Sequence, residues 1–122
     1  MILLPLLLGC SGGADDSAAV DCDREPPLTF DNFGEAFLSK HCTGCHSVLH
    51  EGNLREGAPL GVDLNTYADV LMWAERIDSR VLDTLDMPPG GGPSEDERAQ
   101  LHEWLQCGVY PDKAALAEEE SE

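Results

Sequence analysis

The ten residues from His41 to His50, HCTGCHSVLH, set two cysteines and three histidines close together. Within them, Cys42, Cys45 and His46 make a Cys-x-x-Cys-His run. Three chemistries suit such a run. Two thioethers and an axial imidazole hold a c-type haem. Cys42 and Cys45 with two of His41, His46 and His50 can surround a tetrahedral zinc ion. The two thiols alone can cycle between dithiol and disulfide. Each chemistry requires different surroundings, so the reading is decided by the rest of the chain.

A thioredoxin-like dithiol needs a βαβ setting, and no useful length of this chain alternates with period two. Helical spacing recurs instead. In DNFGEAFLSKHC, Phe33 and Phe37 stand at i and i+4 with Leu38 beside them. Asp31 or Asn32 is the expected cap, and this first helix is predicted to run to about Lys40 and deliver Cys42 at its end. In NTYADVLMWAERIDSRVLDTLD, the residues Tyr67, Val70, Ala74, Ile77 and Val81 share a helical face. Thr66 and Asp69 form a capping arrangement there, and the segment reads as one long helix or as two that break near Asp78. A last helix opens at Ser94, where Glu97 completes a capping box. Its apolar face is Leu101, Trp104 and Leu105, and Gly108 is its expected end. The segment 51–63, with three glycines and a proline, and MPPGGGP (87–93) read as loops. The fold class is therefore all-α. A structural zinc site ordinarily draws a second ligand pair from a distant segment, and Cys107 and His102 do not stand at zinc-ribbon spacing.

The 122 residues carry 7 Lys and Arg against 24 Asp and Glu, a formal net charge of -17. Such a field repels nucleic acid and favours basic protein partners. The apolar run Met1–Leu8 is too short to span a bilayer and reads as the core of an export signal. LLGC (7–10) resembles the lipobox of bacterial lipoproteins, although no Lys or Arg precedes the run. That resemblance implies a signal over 1–9, lipidation of Cys10 and a membrane anchor. The acidic, small-residue stretch 10–29 reads as a flexible tether, 30–111 as the domain and 112–122 as an acidic, solvated tail. Ser11 after Cys10 points by analogy to the outer membrane, with the domain facing the periplasm. Of the five cysteines, lipid takes Cys10 and the central motif takes Cys42 and Cys45. Cys22 and Cys107 are left to pair in an oxidising compartment, closing a loop of about 85 residues.

Taken together, CTGCH in an exported helical domain resembles the class I cytochromes c, specifically the small membrane-anchored bacterial ones, over roughly residues 30–110. The resemblance implies one covalent haem c, with thioethers at Cys42 and Cys45 and His46 as the proximal ligand, held in a cytochrome c fold of three to five helices. It implies that Gly34, eight residues before Cys42, lets the first helix cross closely over the last. Leu38 stands where the family has an aromatic. Pro59 is the implied acceptor for the His46 imidazole, a bond that fixes the ring. Met87, before two prolines, is the implied distal ligand, presented on a stiffened loop. Met72, inside a helix, reads as a gap-filling core residue. His41, His50 and His102 are the competing distal ligands.

With both axial positions filled, the implied function is monomeric one-electron transfer to redox proteins with basic docking surfaces, and the protein is not an enzyme. The alternatives are a haem-bearing accessory subunit or sensor within a larger complex, which would expose an apolar patch.

Overall fold

The computed structural model describes residues 20 to 120, so the expected signal segment and Cys10 lie outside the described residues. Every regular element among the described residues is helical. A wide turn with i→i+5 hydrogen bonds, Phe30–Gly34, leads into α1 (Glu35–His41). A single 3₁₀ turn, Gly52–Arg55, interrupts the following loop. Helix α2 (Tyr67–Ile77) continues through a second wide turn, Asp78–Asp83. Helix α3 (Glu95–Trp104) passes through a third, Leu105–Val109, into α4 (Tyr110–Glu120). None of these helices is long and apolar enough to cross a membrane.

The helix starts follow from side chains that satisfy orphan amides. Thr66 accepts from the Asp69 amide while Asp69 accepts from the Thr66 amide, and Ser94 and Glu97 do the same. The first helix starts earlier than the pattern of phenylalanines indicates. Its cap is Thr29, not Asp31 or Asn32; Asn32 is the reciprocal partner, accepting from the Thr29 amide at 2.7 Å. Of one helix or two, the segment is one: near Asp78 only the winding changes, since the Asp78 amide still bonds back to Ala74 and Glu75.

Gly108 does not end the last helix either. It sits inside a continuous rod, where a Cβ would make ordinary contacts with the Trp104 ring at 3.4 Å and the Leu28 carbonyl at 3.7 Å. The domain accordingly reaches past residue 111. Tyr67 donates to Asp112 and Tyr110 to Asp78, both at 2.6 Å, and Lys113 pairs with Glu75. The carboxylates, with burial the larger cause, raise both phenols above their ordinary range. The amino-terminal boundary moves too. Cys22 is joined to Cys107, Arg24 forks onto Glu103, and Leu28 packs on the core. The stretch expected to be free to residue 29 is thus fastened to the domain from Cys22 onward.

The core gathers Phe37 and Leu38 from α1, Val70, Ala74, Ile77 and Val81 from α2 and its extension, and Leu101, Trp104, Leu105 and Val109 from α3 and the turn beyond. Trp104 is its centre, with Phe33 edge-on at 5.8 Å and Tyr67 tilted at 6.2 Å. Gly34 makes this crossing possible, because a Cβ there would come 2.6 Å from Trp104 Cζ2. Met72 is the exception on α2. It is 64 % exposed and does not fill the core, because it falls outside the helical face of Val70, Ala74, Ile77 and Val81.

Candidate functional site

Helix α1 delivers its last turn directly into the motif. The Cys42 and Thr43 amides both bond to the Leu38 carbonyl, and the Cys45 and His46 amides both bond to the Cys42 carbonyl. Cys42 to His46 is therefore one closed turn. The segment after it is laced to residues 62–65: the Leu64 amide bonds to His46 O, Val48 N to Asn65 Oδ1, and Asn65 Nδ2 to the buried Ser47 hydroxyl. These bonds hold His46 from both sides.

The imidazole bonds through Nδ1 to the Val62 carbonyl at 2.8 Å. A carbonyl can only accept, so Nδ1 carries the proton and Nε2 is left with a free lone pair. The acceptor is Val62, not Pro59, whose carbonyl already takes two donors, the Val62 amide at 3.2 Å and Arg55 Nη2 at 2.7 Å. The Arg55 guanidinium is buried in the loop, and its Nη2 also shares the Val62 carbonyl at 3.2 Å. Nη1 reaches Ser47 O and Asp63 Oδ1 at 2.8 Å each and His50 O at 3.3 Å, and Nε reaches Ala58 O. One side chain thus organises the whole loop 47–63 by satisfying carbonyls that no helix or strand covers.

A cavity of about 330 Å³ opens against this turn. Cys42, Cys45, His46, Pro59 and Met87 all line it, together with Val62, Leu64, Trp73, Ile77 and Val81. Its volume falls in the range of pockets that bury small organic ligands. Met87 is held over it by two anchors. The Asp86 and Met87 amides bond to the Arg80 carbonyl, and Arg98 donates to the Val81, Pro93 and Gly91 carbonyls. His41 lines the wall too, but its Nε2 is engaged by Glu97 at 2.8 Å. His50, His102 and Met72 do not line the cavity.

Cys42 and Cys45 are free thiols. Burial pushes the Cys42 thiol up to about 12, with the neighbouring Cys45 adding to the shift. Cys45 is raised as well, by burial first and then by the Glu56 carboxylate, which accepts its S–H at 3.3 Å. A redox dithiol depends on a lowered thiolate pKa, so these surroundings oppose that chemistry. They favour thiols that remain neutral until they are covalently capped.

The donor set can be tested against the two remaining groups. Among the described residues, no three His, Cys, Asp or Glu side chains are assembled as for a metal ion, whereas a structural zinc site uses four such donors. A c-type haem would use two nearby thiols, a nitrogen donor and a further donor around an apolar slot, and Cys42, Cys45, His46 and Met87 meet here. It also carries carboxylates. Of the arginines on the cavity wall, Arg55 and Arg80 are already paired with Asp63 and Asp86, which leaves Arg76 to face a carboxylate. Arg76 lies 5.7 Å from the centre of the Trp73 ring, which also lines the cavity. The residues present fit a haem.

Comparison with protein-family models, with curated proteins and with solved structures finds no match to this chain.

Three residues that shape the site had no signal in the sequence pattern. Val62 acts through a backbone carbonyl, which any residue supplies. Arg55 and Arg98 act through carbonyls of loops whose paths no periodicity encodes. Thr29 had a signal, the Thr-x-x-Asn spacing that its capping box uses.

Proposed function

We propose that this chain is a c-type cytochrome that moves single electrons, with haem c bound to Cys42 and Cys45 and ligated by His46 and Met87. The observation that carries the proposal is the meeting of these four residues, the oriented His46 and an apolar cavity at one place. The helices, with Gly34 beneath Trp104, are taken as a small cytochrome c fold. When bound, the haem supplies a one-electron couple, and methionine on one axial side raises its potential relative to two histidines.

The protein's own part is to hold ligands and to exclude water. His46 presents Nε2 because Val62 occupies Nδ1. Met87 is presented on a loop pinned by Arg80 and Arg98, so its sulfur needs little ordering. Cys42 and Cys45 fix the cofactor edge to the end of α1. With His46 and Met87 both given to the haem, the chain would leave no position for oxygen or peroxide, and the role would be transfer and not turnover. Lipid at Cys10 would tether the domain at the periplasmic face of a bacterial membrane, and the acidic surface would meet basic redox partners.

Replacing Met87 by Ala tests the ligand assignment. The oxidised wild type should show the weak far-red methionine–iron band. Met87→Ala should lose it, lower the potential and admit carbon monoxide or cyanide. An unchanged spectrum in Met87→Ala, with a change in a His50 or His102 variant, would replace the methionine by a histidine.

A second reading is favoured by one observation. Val48, Leu49, Leu54 and Leu60 are all exposed within one 13-residue segment, from 64 % to 84 % of their surface. An aliphatic face of that kind suits a haem-bearing subunit fixed in a larger complex.

A further inference from the structure

Val62 O accepts from two donors at once, His46 Nδ1 at 2.8 Å and Arg55 Nη2 at 3.2 Å. The second donor carries a full positive charge, and its side chain is only 4 % exposed. A cation so placed acts on the axial imidazole in two ways. It competes for the carbonyl's electron density, so the carbonyl pulls less on the Nδ1 proton and the imidazole is less basic. Its field also reaches the centre through protein rather than through water, where screening is weak. Asp63 Oδ1, 2.8 Å from Arg55 Nη1 and 19 % exposed, offsets part of that charge.

We infer that Arg55 and Asp63 together set the reduction potential of the centre, Arg55 raising it and Asp63 lowering it, by acting on His46 through the Val62 carbonyl. The inference rests on the haem reading above. Oxidation adds one positive charge at the iron, so a nearby buried cation disfavours the oxidised form and a nearby anion favours it. Arg55 touches neither ligand directly; it is a positioning residue whose charge is also felt.

A plain structural clasp would give a different pattern, and three variants of the full haem-loaded chain separate the two. Arg55→Met should lower the equilibrium constant for reduction about tenfold, 59 mV for a one-electron couple. Asp63→Asn should raise it. Arg55→Lys keeps the charge but loses the planar fork, so it should keep most of the potential while its thermal midpoint falls. In the reduced, diamagnetic protein, the His46 Nδ1–H resonance should move downfield in Arg55→Met as the carbonyl becomes free to accept more strongly. If Arg55→Met does not fold, the signs from Asp63→Asn and Arg55→Lys decide. Potentials that fall together in Asp63→Asn and Arg55→Lys overturn the inference, since loosening alone produces that. A wild-type chain that takes no haem overturns the haem reading, and the inference with it.

Discussion

Replacing Gly34 by Ala adds one methyl group, and the geometry around it sets the sign of the effect. The glycine has ordinary helical angles, φ -61° and ψ -46°, so backbone strain plays no part and alanine's better helix propensity favours the variant by about 1 kcal/mol. Against this, the new Cβ would stand 2.6 Å from Trp104 Cζ2, roughly 1 Å inside the optimum for two carbons. Trp104 is 1 % exposed and meets Phe33 and Tyr67, so the ring has little room to retreat. Overpacking of this kind costs about 1–3 kcal/mol, and so close an approach belongs at the upper end. The net loss is about 1–2 kcal/mol, a fall in thermal midpoint of roughly 5–15 °C for a domain of this size. Thermal unfolding of the purified chain, followed by circular dichroism, reads it. The double variant Gly34→Ala/Trp104→Phe supplies the control, because phenylalanine lacks the ring atoms that collide. It should be more stable than the sum of the two single changes. A Gly34→Ala protein as stable as wild type, or a double variant that is merely additive, would refute the close crossing.

Three further outcomes follow from other contacts. Removing the Cys22–Cys107 bridge, which spans a sequence separation of 85, by the double change to Ser should cost on the order of 4 kcal/mol, read as a lower denaturant midpoint; an unchanged midpoint would contradict it. The Glu97 carboxyl is held at about 2, against 4.5 when unperturbed, first by His41 and then by the Ser94 amide and Lys40. Its stabilisation is therefore complete above pH 4.5 and disappears as the pH falls through about 2, and Glu97→Gln should flatten the acid limb of a stability profile in that window. Association with a basic redox partner should slow as salt is added, since the Debye length is only about 10 Å at 0.1 M; a rate indifferent to salt would favour the fixed subunit with its exposed aliphatic segment.

The helices were legible because their signals are local. Thr66 with Asp69 and Ser94 with Glu97 are three residues apart, and the buried face of α2 repeats at helical spacing. Cysteine parity, likewise, is a matter of counting, and the Cys22–Cys107 bridge is present. What stayed hidden depends on how loops fold back. Nothing in GNLREGAPLGVD marks Arg55 as the residue that gathers six hydrogen bonds, and nothing marks Val62, rather than Pro59, as the imidazole acceptor. Gly108 misled because a glycine that ends a helix and one that sits inside a continuous one look the same in one dimension. Met72 was misread although the face was legible: Val70, Ala74, Ile77 and Val81 define it, and Met72 falls outside it.

The covalent haem is tested most directly by the intact mass of the full chain, made in cells with haem-attachment machinery and measured in denaturant after reduction. The expected mass exceeds that of the polypeptide by one haem, and the excess is absent from Cys42→Ala/Cys45→Ala. A polypeptide mass with no haem, together with Cys42 and Cys45 open to alkylation, would contradict it.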